Sequence, residues 1–489
     1  MTVEIARSGH RVIVAAGNPI HRLLFELAAN PPQLKDLQAA LAELSAERKD
    51  GKRLELQILS IYTTHCENCG KDVIADAYIW NEKSNQIETK IYNCECGHGG
   101  EQPASLQDQE QADFWTKKDL LHRSMALERL APGNDPIRQF AEEALSFYKP
   151  RAVYSFGTII NRLDRMSLSP EKKRNLLALI LYAMDYSNSL WSPDSDRTRP
   201  KQLILSPRYF EHNVWKALES AIKYWDSPGK PVHLCLWPEE PPESGGISLF
   251  AGPLRDLQLH STGTEIKAVI CPIPRPNQAF WSFSALWSGW LWGNKAVGHF
   301  KSVMRRQRYD WDWHAEAVNS LLINVRRLVV DRGTPILGLI SEPEAPFITA
   351  TIMAGQNNGF EIKNITCEKN LDIIRINWSL PNIRDGSEKR SKKQLPLDVV
   401  FTRWAVTQIL EDLKKPTDYL LIHCLLLKKF TEKGMLVWSP GTIRNIENNI
   451  HHALESPEFE DLDRRTIPEN GNWGLRKWKN QDNLWEENK

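Results

Sequence analysis

Residues 1–20 read MTVEIARSGHRVIVAAGNPI: the end of a helix, a glycine turn at Gly9, a buried strand over Arg11 to Ala15, then a Gly-Asn-Pro turn. That is a helix-to-strand unit of an α/β sheet. Met1 already lies inside the helical pattern, whereas the helix of such a unit crosses over from a preceding strand. The expectation is a strand ahead of Met1.

Working outward, Ala39 to Glu47 carries a helical pattern, followed by a cysteine-bearing segment with strand-like runs at Val73 to Trp80 and Thr89 to Asn93. From about Phe114 to Trp225 the pattern turns mostly helical. Arg174 to Tyr186 and Asn213 to Trp225 are long amphipathic helices without Gly or Pro. Short apolar runs return at Val232 to Trp237, Ile247 to Phe250, Ile266 to Cys271 and Pro335 to Ile340, with helices around Phe283 to Trp292 and Ala315 to Val330. Alternating strands and helices imply a parallel sheet. Phe360 to Thr366 and Ile373 to Trp378 suit an antiparallel pair. Beyond Pro381 come a charged loop, RDGSEKRSKKQ, and a helical, charged remainder.

Length and composition fit several ordinary globular domains. The 489 residues carry 62 basic and 61 acidic side chains, a net charge of +1, with 41% hydrophobic and 25% charged residues. A disordered chain and a strongly basic polyanion binder are disfavoured. The longest apolar run, FWSFSALWSGWLWG from Phe280 to Gly293, is shorter than the roughly 18–20 residues of a membrane span, and no signal peptide opens the chain. The expected location is cytoplasmic. Eighteen Trp supply aromatic surface that serves core packing and base stacking equally.

Cys66-Glu67-Asn68-Cys69-Gly70 and Cys94-Glu95-Cys96-Gly97 form two tight knuckles, each closed by Gly, about 25 residues apart. Four thiolates suit tetrahedral Zn²⁺ in a closed, structural site, so Cys66, Cys69, Cys94 and Cys96 are the candidate ligands of a zinc ribbon. The second knuckle is one residue short, which leaves His65 or His98 as a replacement for a poorly placed sulfur. The bland alternative is a group of reduced thiols. Cys235, Cys271, Cys367 and Cys424 sit in apolar runs and read as core packing.

TVEIARSGHRVIVAAGNPI, the ribbon, SPRYFEHNVWKALESAI (Ser206 to Ile222), GPLRDL (Gly252 to Leu257) and PRPNQAFWSFSALWSGWLWG (Pro274 to Gly293) together resemble a bacterial DNA methylase family. Its class is the S-adenosylmethionine-dependent DNA methyltransferases that modify adenine or cytosine amino groups. The resemblance covers most of residues 1–380. It implies a class I methyltransferase-like (Rossmann-like) α/β sheet lacking its first strand, with a zinc-ribbon insertion and a helical insertion. The segments implied are 1–48 as the start of the α/β domain, 49–113 as the ribbon, 114–230 as the helical region, 231–380 as the rest of the α/β domain, and 381–489 as a helical appendage.

In that class a Gly-rich loop ending Gly-Thr holds the methionine part of the cofactor; Thr2 resembles its final Thr, with Glu4 on the next helix. Asn18-Pro19 resembles the turn after the second strand, but Ala16 stands where an acidic residue usually holds the ribose. Asp256 is the acidic candidate near the adenine pocket, or else caps the next turn. After the fourth strand the class expects Asp or Asn, two prolines and an aromatic residue; this chain has Cys271-Pro272-Ile273-Pro274.

A target nitrogen must be aligned with the methyl group and have its protons hydrogen-bonded, and neither Cys271 nor Ile273 does what Asp and Tyr do. Asn277 offers an amide acceptor, with helix capping as its alternative, and Phe280 or Trp281 a stacking surface for a flipped base. Phe283, Leu286, Trp287 and Trp290 lie at helical spacing and read as a core helix or a stacking surface. Asn213 resembles a family landmark or is an N-cap. Arg305, Arg306 and Arg308, with Lys389, Arg390, Lys392 and Lys393, are phosphate contacts or plain solvated faces.

In the class the missing first strand lies mid-sheet, between the second and fourth strands. The functional expectation is thus a DNA methyltransferase-family protein, incomplete or inactive as this chain alone, whose Gly-rich loop and first strand come from an upstream segment or another polypeptide. The partner is DNA, and the cofactors are S-adenosylmethionine and Zn²⁺. The alternatives are an inactive DNA-binding or scaffold partner in a modification or defence system, and a ribbon interaction module on a structural α/β part.

Overall fold

The first twenty residues fold as read. Helix α1 (Thr2–Arg7) turns at Gly9, whose φ of +94° suits a residue without Cβ, into strand β1 (Arg11–Ala15). Asn18 then caps α2 (Pro19–Ala29) by accepting from the Ile20 amide at 2.9 Å, and Pro19 takes the first helical position, where no N–H is needed. In the computed structural model all residues are described except 195–199, 227–228, 260–264, 306–309, 330, 332, 369–371, 382–396, 437, 440, 464–470 and 481–489. The chain divides into two units, Met1–Leu257 with Asn277–Gln307, and Gln258–Pro276 with Arg308–Lys489. The architecture is mixed α/β, with several sheets and, among the described residues, sixteen α-helices. None of those helices is long and apolar enough to cross a membrane.

In the first unit α3 (Leu34–Ala46), a short hairpin of β2 (Arg48–Lys49) and β3 (Lys52–Arg53), and α4 (Leu54–Leu59) lead into the cysteine segment. Its sheet is built from β4 (Thr63–His65), β5 (Asp72–Asn81), β6 (Gln86–Asn93) and β7 (Gly99–Pro103). Four helices follow: α5 (Leu106–Leu130), α6 (Arg138–Ser146), α7 (Pro150–Leu163) and α8 (Pro170–Tyr186). Then β8 (Arg208–His212) returns to pair antiparallel with β5, and Asn213 opens α9 (Val214–Trp225). Strands β9 (Leu234–Leu236) and β10 (Gly246–Phe250) complete an all-parallel sheet in the order β1-β10-β9.

Helix α10 (Gln278–Trp292) and the short α11 (Lys301–Met304) close the unit. Phe283, Leu286, Trp287 and Trp290 are all buried, so the Trp-rich run is a core helix. The Trp287 indole donates to Tyr148 Oη at 2.7 Å, and Tyr148 donates onward to the Met184 carbonyl. Gly289 is where α10 meets α5: a Cβ there would lie 2.3 Å from Leu130 Cδ1 and 2.9 Å from Val297 Cγ2. Gly289→Ala is therefore expected to cost about 1–3 kcal/mol by overpacking, after offsetting the helix-propensity gain of about 1 kcal/mol. A lowered unfolding midpoint checks this; an unchanged one would show that Leu130 moves aside freely.

The second unit holds β11 (Val269–Pro272), α12 (Trp311–Leu328), β12 (Ile336–Ser341), α13 (Ala345–Asn357), β13 (Glu361–Glu368) and β14 (Ile373–Ser379). Their sheet runs β11-β12-β14-β13. Strand β11 is parallel to β12, while β14 is antiparallel to both its neighbours. Strand β11 is shorter than the apolar run that announced it. The C-terminal part is not purely helical: α14 (Val399–Leu413), α15 (Tyr419–Lys433) and α16 (Thr442–Leu454) share it with a small sheet of β15 (Thr417–Asp418), β16 (Phe459–Asp461) and β17 (Asn472–Leu475). Strands of two to four residues carry no readable period.

Among the described residues each unit ends its parallel strands on an open edge. Gly246 N donates to His10 O and Ala16 N to Phe250 O, so strand alternation turns the Ile13 and Ala15 amides away from β10. Among the described residues β1 pairs with no other strand. In the same way Val269 N and Ile273 N donate toward β12, which leaves Ile270 N and the N–H-less Pro272 on the free side of β11.

Candidate metal centre and the motif positions

Strand β4 delivers the first cysteine knuckle and β6 the second. In the first, Gly70 N donates to Cys66 O and Cys66 N to Lys71 O, both at 2.9 Å; in the second, Gly97 N donates to Cys94 O at 2.9 Å and Cys94 N to His98 O at 3.0 Å. Gly70 and Gly97 have φ of +69° and +84°, the left-handed turn that brings both sulfurs of a knuckle to one side. The one-residue spacing of the second knuckle does not misplace a sulfur. Cys66 and Cys96 approach to 3.6 Å, Cys69 and Cys94 to 3.6 Å, and all four Sγ atoms lie within 4.8 Å of one another. A tetrahedron with arms of about 2.3 Å has edges of about 3.8 Å, so the group can hold a metal ion and its size is compatible with Zn²⁺.

Neither histidine replaces a sulfur. His98 Nδ1 is 3.9 Å from Cys66 Sγ and 2.9 Å from Tyr92 Oη, while His65 Nδ1 faces Asp72 at 2.6 Å. Burial raises the Cys66 thiol, but the Cys69 and Asn68 amides outweigh it and bring Cys66 down to about 5. The Cys96 amide lowers Cys94, yet burial and the neighbouring sulfurs push it up to about 12. Four sulfurs this close do not all ionise without a cation between them.

Beneath the ribbon lies a buried ion pair that sequence reading missed. Arg151 on α7 donates to both Glu211 oxygens on β8, Nε at 2.8 Å and Nη2 at 2.7 Å, and both side chains are 1% exposed. Trp80 on β5 donates to Glu211 at 2.8 Å, and the guanidinium lies 4.4 Å from the Tyr78 ring centre. Burial alone would raise the Glu211 carboxyl; Arg151 beside it holds the carboxyl below its ordinary value. Asn213 is an N-cap, accepting from the Trp215 and Lys216 amides and donating to Ala75 O at 2.9 Å.

Several motif positions converge at the carboxyl ends of β1 and β10. A Cβ on Gly17 would lie 3.5 Å from Gly252 O, so the Asn18-Pro19 turn and the GPLRDL segment run side by side. Asn18 Nδ2 is buried and has no hydrogen-bond partner among the described residues. Ala16 is buried. Asp256 ends a 3₁₀ turn, makes no cap, and is exposed beside Arg255 at 3.7 Å. Thr2 opens α1, and Glu4 pairs with Arg7 on the same helix. Phe280 stacks on His21 of α2 at 5.8 Å, with Trp281 half-buried next to it. Asn277 is engaged as the cap of α10, accepting from the Phe280 amide at 2.8 Å.

In the second unit Pro272 and Pro274 are exposed, flanking Ile273, which is buried. Cys271 is buried and its thiol is pushed up to about 12 by burial, so it stays protonated at neutral pH. Cys235 and Cys424 are buried as read, and Cys367 is half-buried. Arg305 is exposed; Arg306, Arg308, Lys389, Arg390, Lys392 and Lys393 lie outside the described residues. Comparison with known proteins finds no match to this chain among family models, curated proteins or solved structures.

Proposed function

We propose that the chain is the larger part of an S-adenosylmethionine-dependent amino-group DNA methyltransferase fold, inactive until a first strand with its Gly-rich loop is added. The strand order carries the reading. Three parallel strands in the order β9-β10-β1 match the third and second strands of a class I sheet with an added edge. The order β11-β12-β14-β13, with its reversed strand set between two parallel ones, matches the far half of that sheet. In the class the second strand pairs with the first on the side where β1 is open here, and edge strands with free N–H and C=O groups are templates for pairing. The four-cysteine group is read as a structural zinc site that holds the knuckles together, and the ribbon and helices as DNA contacts.

By themselves the chain's residues do not fit the cofactor. The carboxylate expected on the ribose is replaced by Ala16, Asp256 faces solvent, and the methionine-binding loop is not among the residues present. What remains is a partial cradle: the close Gly17 and Gly252 backbones and the unpartnered Asn18 amide. The protonated Cys271 and the engaged Asn277 favour a second reading, an inactive DNA-binding or scaffold partner on the same fold. Amide hydrogen exchange tests the open edge. Ile13 and Ala15 are expected to exchange rapidly in the chain alone and to gain at least tenfold protection when a strand-loop segment is fused ahead of Met1. Equal exchange in both forms would mean that β1 accepts no strand.

A further inference from the structure

We infer that His233, Cys235 and Glu239 form a second metal site, for a zinc-like divalent transition ion, sharing no residue with the four-cysteine group. Their ligand atoms lie within 4.8 Å of one another. His233 and Cys235 are two apart at β9, so alternation sets them on one face of the strand. Glu239 is folded back onto that face by a turn bound at several points: Glu239 N donates to Leu236 O at 2.9 Å, Trp237 N to Leu249 O at 3.1 Å, and Ser248 Oγ to Glu239 O at 2.8 Å. The turn is pressed hard against the strand, for a Cβ on Gly246 would sit 2.8 Å from Pro241 Cβ and 2.9 Å from His233 O. The three donors are thus held by backbone structure rather than gathered by chance from mobile side chains.

The donor set is one imidazole, one thiol and one carboxylate, a borderline-soft combination that suits Zn²⁺ more than Mg²⁺ or Ca²⁺. The Cys235 thiol donates to Glu239 O at 3.2 Å; on binding it would yield its proton to solvent and turn its sulfur to the metal. His233 and Glu239 are exposed, so a fourth position faces water, as in three-ligand zinc sites. Neighbouring Glu240 is taken by Arg11 at 2.9 Å. A bound ion would clip the three-residue edge strand β9 to its following turn.

Elemental analysis of the full chain, dialysed against micromolar free Zn²⁺, tests this by difference. The native chain is expected to hold one equivalent more than H233Q and than C235S. E239Q, changed at an exposed side chain, is expected to weaken that equivalent at least tenfold while far-UV circular dichroism stays native. Because the difference is read, an empty ribbon lowers all values equally and leaves the test intact. Equal metal content in the native chain, H233Q and C235S would overturn the site.

Discussion

Replacing Glu211 by glutamine is expected to destabilise the first unit by about 3–5 kcal/mol, the largest single-residue effect foreseen for this chain. The reason is the charge left behind. Arg151 is 1% exposed, and without the carboxylate it is a buried cation against the Tyr62 and Tyr78 rings. Replacing both partners at once, Arg151→Met with Glu211→Leu, is expected to cost much less, because the desolvation of two charges no longer has to be overcome. Urea unfolding followed by Trp fluorescence measures both. The pH dependence has a definite sign: the folded-state pKa of Glu211 is depressed, so its stabilisation is complete above the ordinary carboxylate range and is lost only as pH falls through that lower value. If E211Q were as stable as the native chain, the pair would not be the buried anchor of the ribbon.

Metal removal is the second large effect. Chelation is expected to expose Cys66 to Gly70 and Cys94 to Gly97 to rapid amide exchange, because apart from the sulfurs each knuckle has two backbone bonds of its own, joined in the first by a Glu67 N–H donated to Tyr92 Oη at 3.0 Å. Structural zinc in isolated finger peptides contributes on the order of 10 kcal/mol, which sets the scale of the loss at the tip. The rest of the ribbon sheet is expected to survive. Ile61, Tyr62, Tyr78, Trp80 and Tyr209 form a core of their own beneath it, and β8 pairs with β5 along five residues. Exchange mass spectrometry before and after chelation checks both halves of this; knuckles that stay protected without metal would remove zinc from the account.

The parts of this fold that were legible in sequence are those written in local chemistry. Arg11 to Ala15 announces a buried strand between a Gly turn and an Asn-Pro cap, and the knuckles announce themselves by Cys spacing closed with Gly. The polar break after Thr366 marks the antiparallel β13–β14 pair. What was illegible depends on partners far along the chain. Arg151 and Glu211 are 60 residues apart, and neither sits in a charged pattern that points to the other. Strand β8 is five residues long and lies just ahead of a strong helix, so its pairing with β5 is visible only once the ribbon is folded. His233, Cys235 and Glu239 are close in sequence, but Cys235 alone reads as core until the turn brings the carboxylate back.

The central expectation is that the open edge of β1 is completed by a strand that brings a cofactor loop. Calorimetric titration with S-adenosylmethionine decides it, run on the zinc-loaded chain of residues 1–489 and on the same chain extended ahead of Met1 by a strand and a Gly-rich loop. Binding heat with the extended chain and none with the unextended chain is the predicted result. Binding by the unextended chain would contradict the claim that the loop is indispensable, and absence of binding in both would leave the inactive DNA-binding scaffold in place of an enzyme fragment.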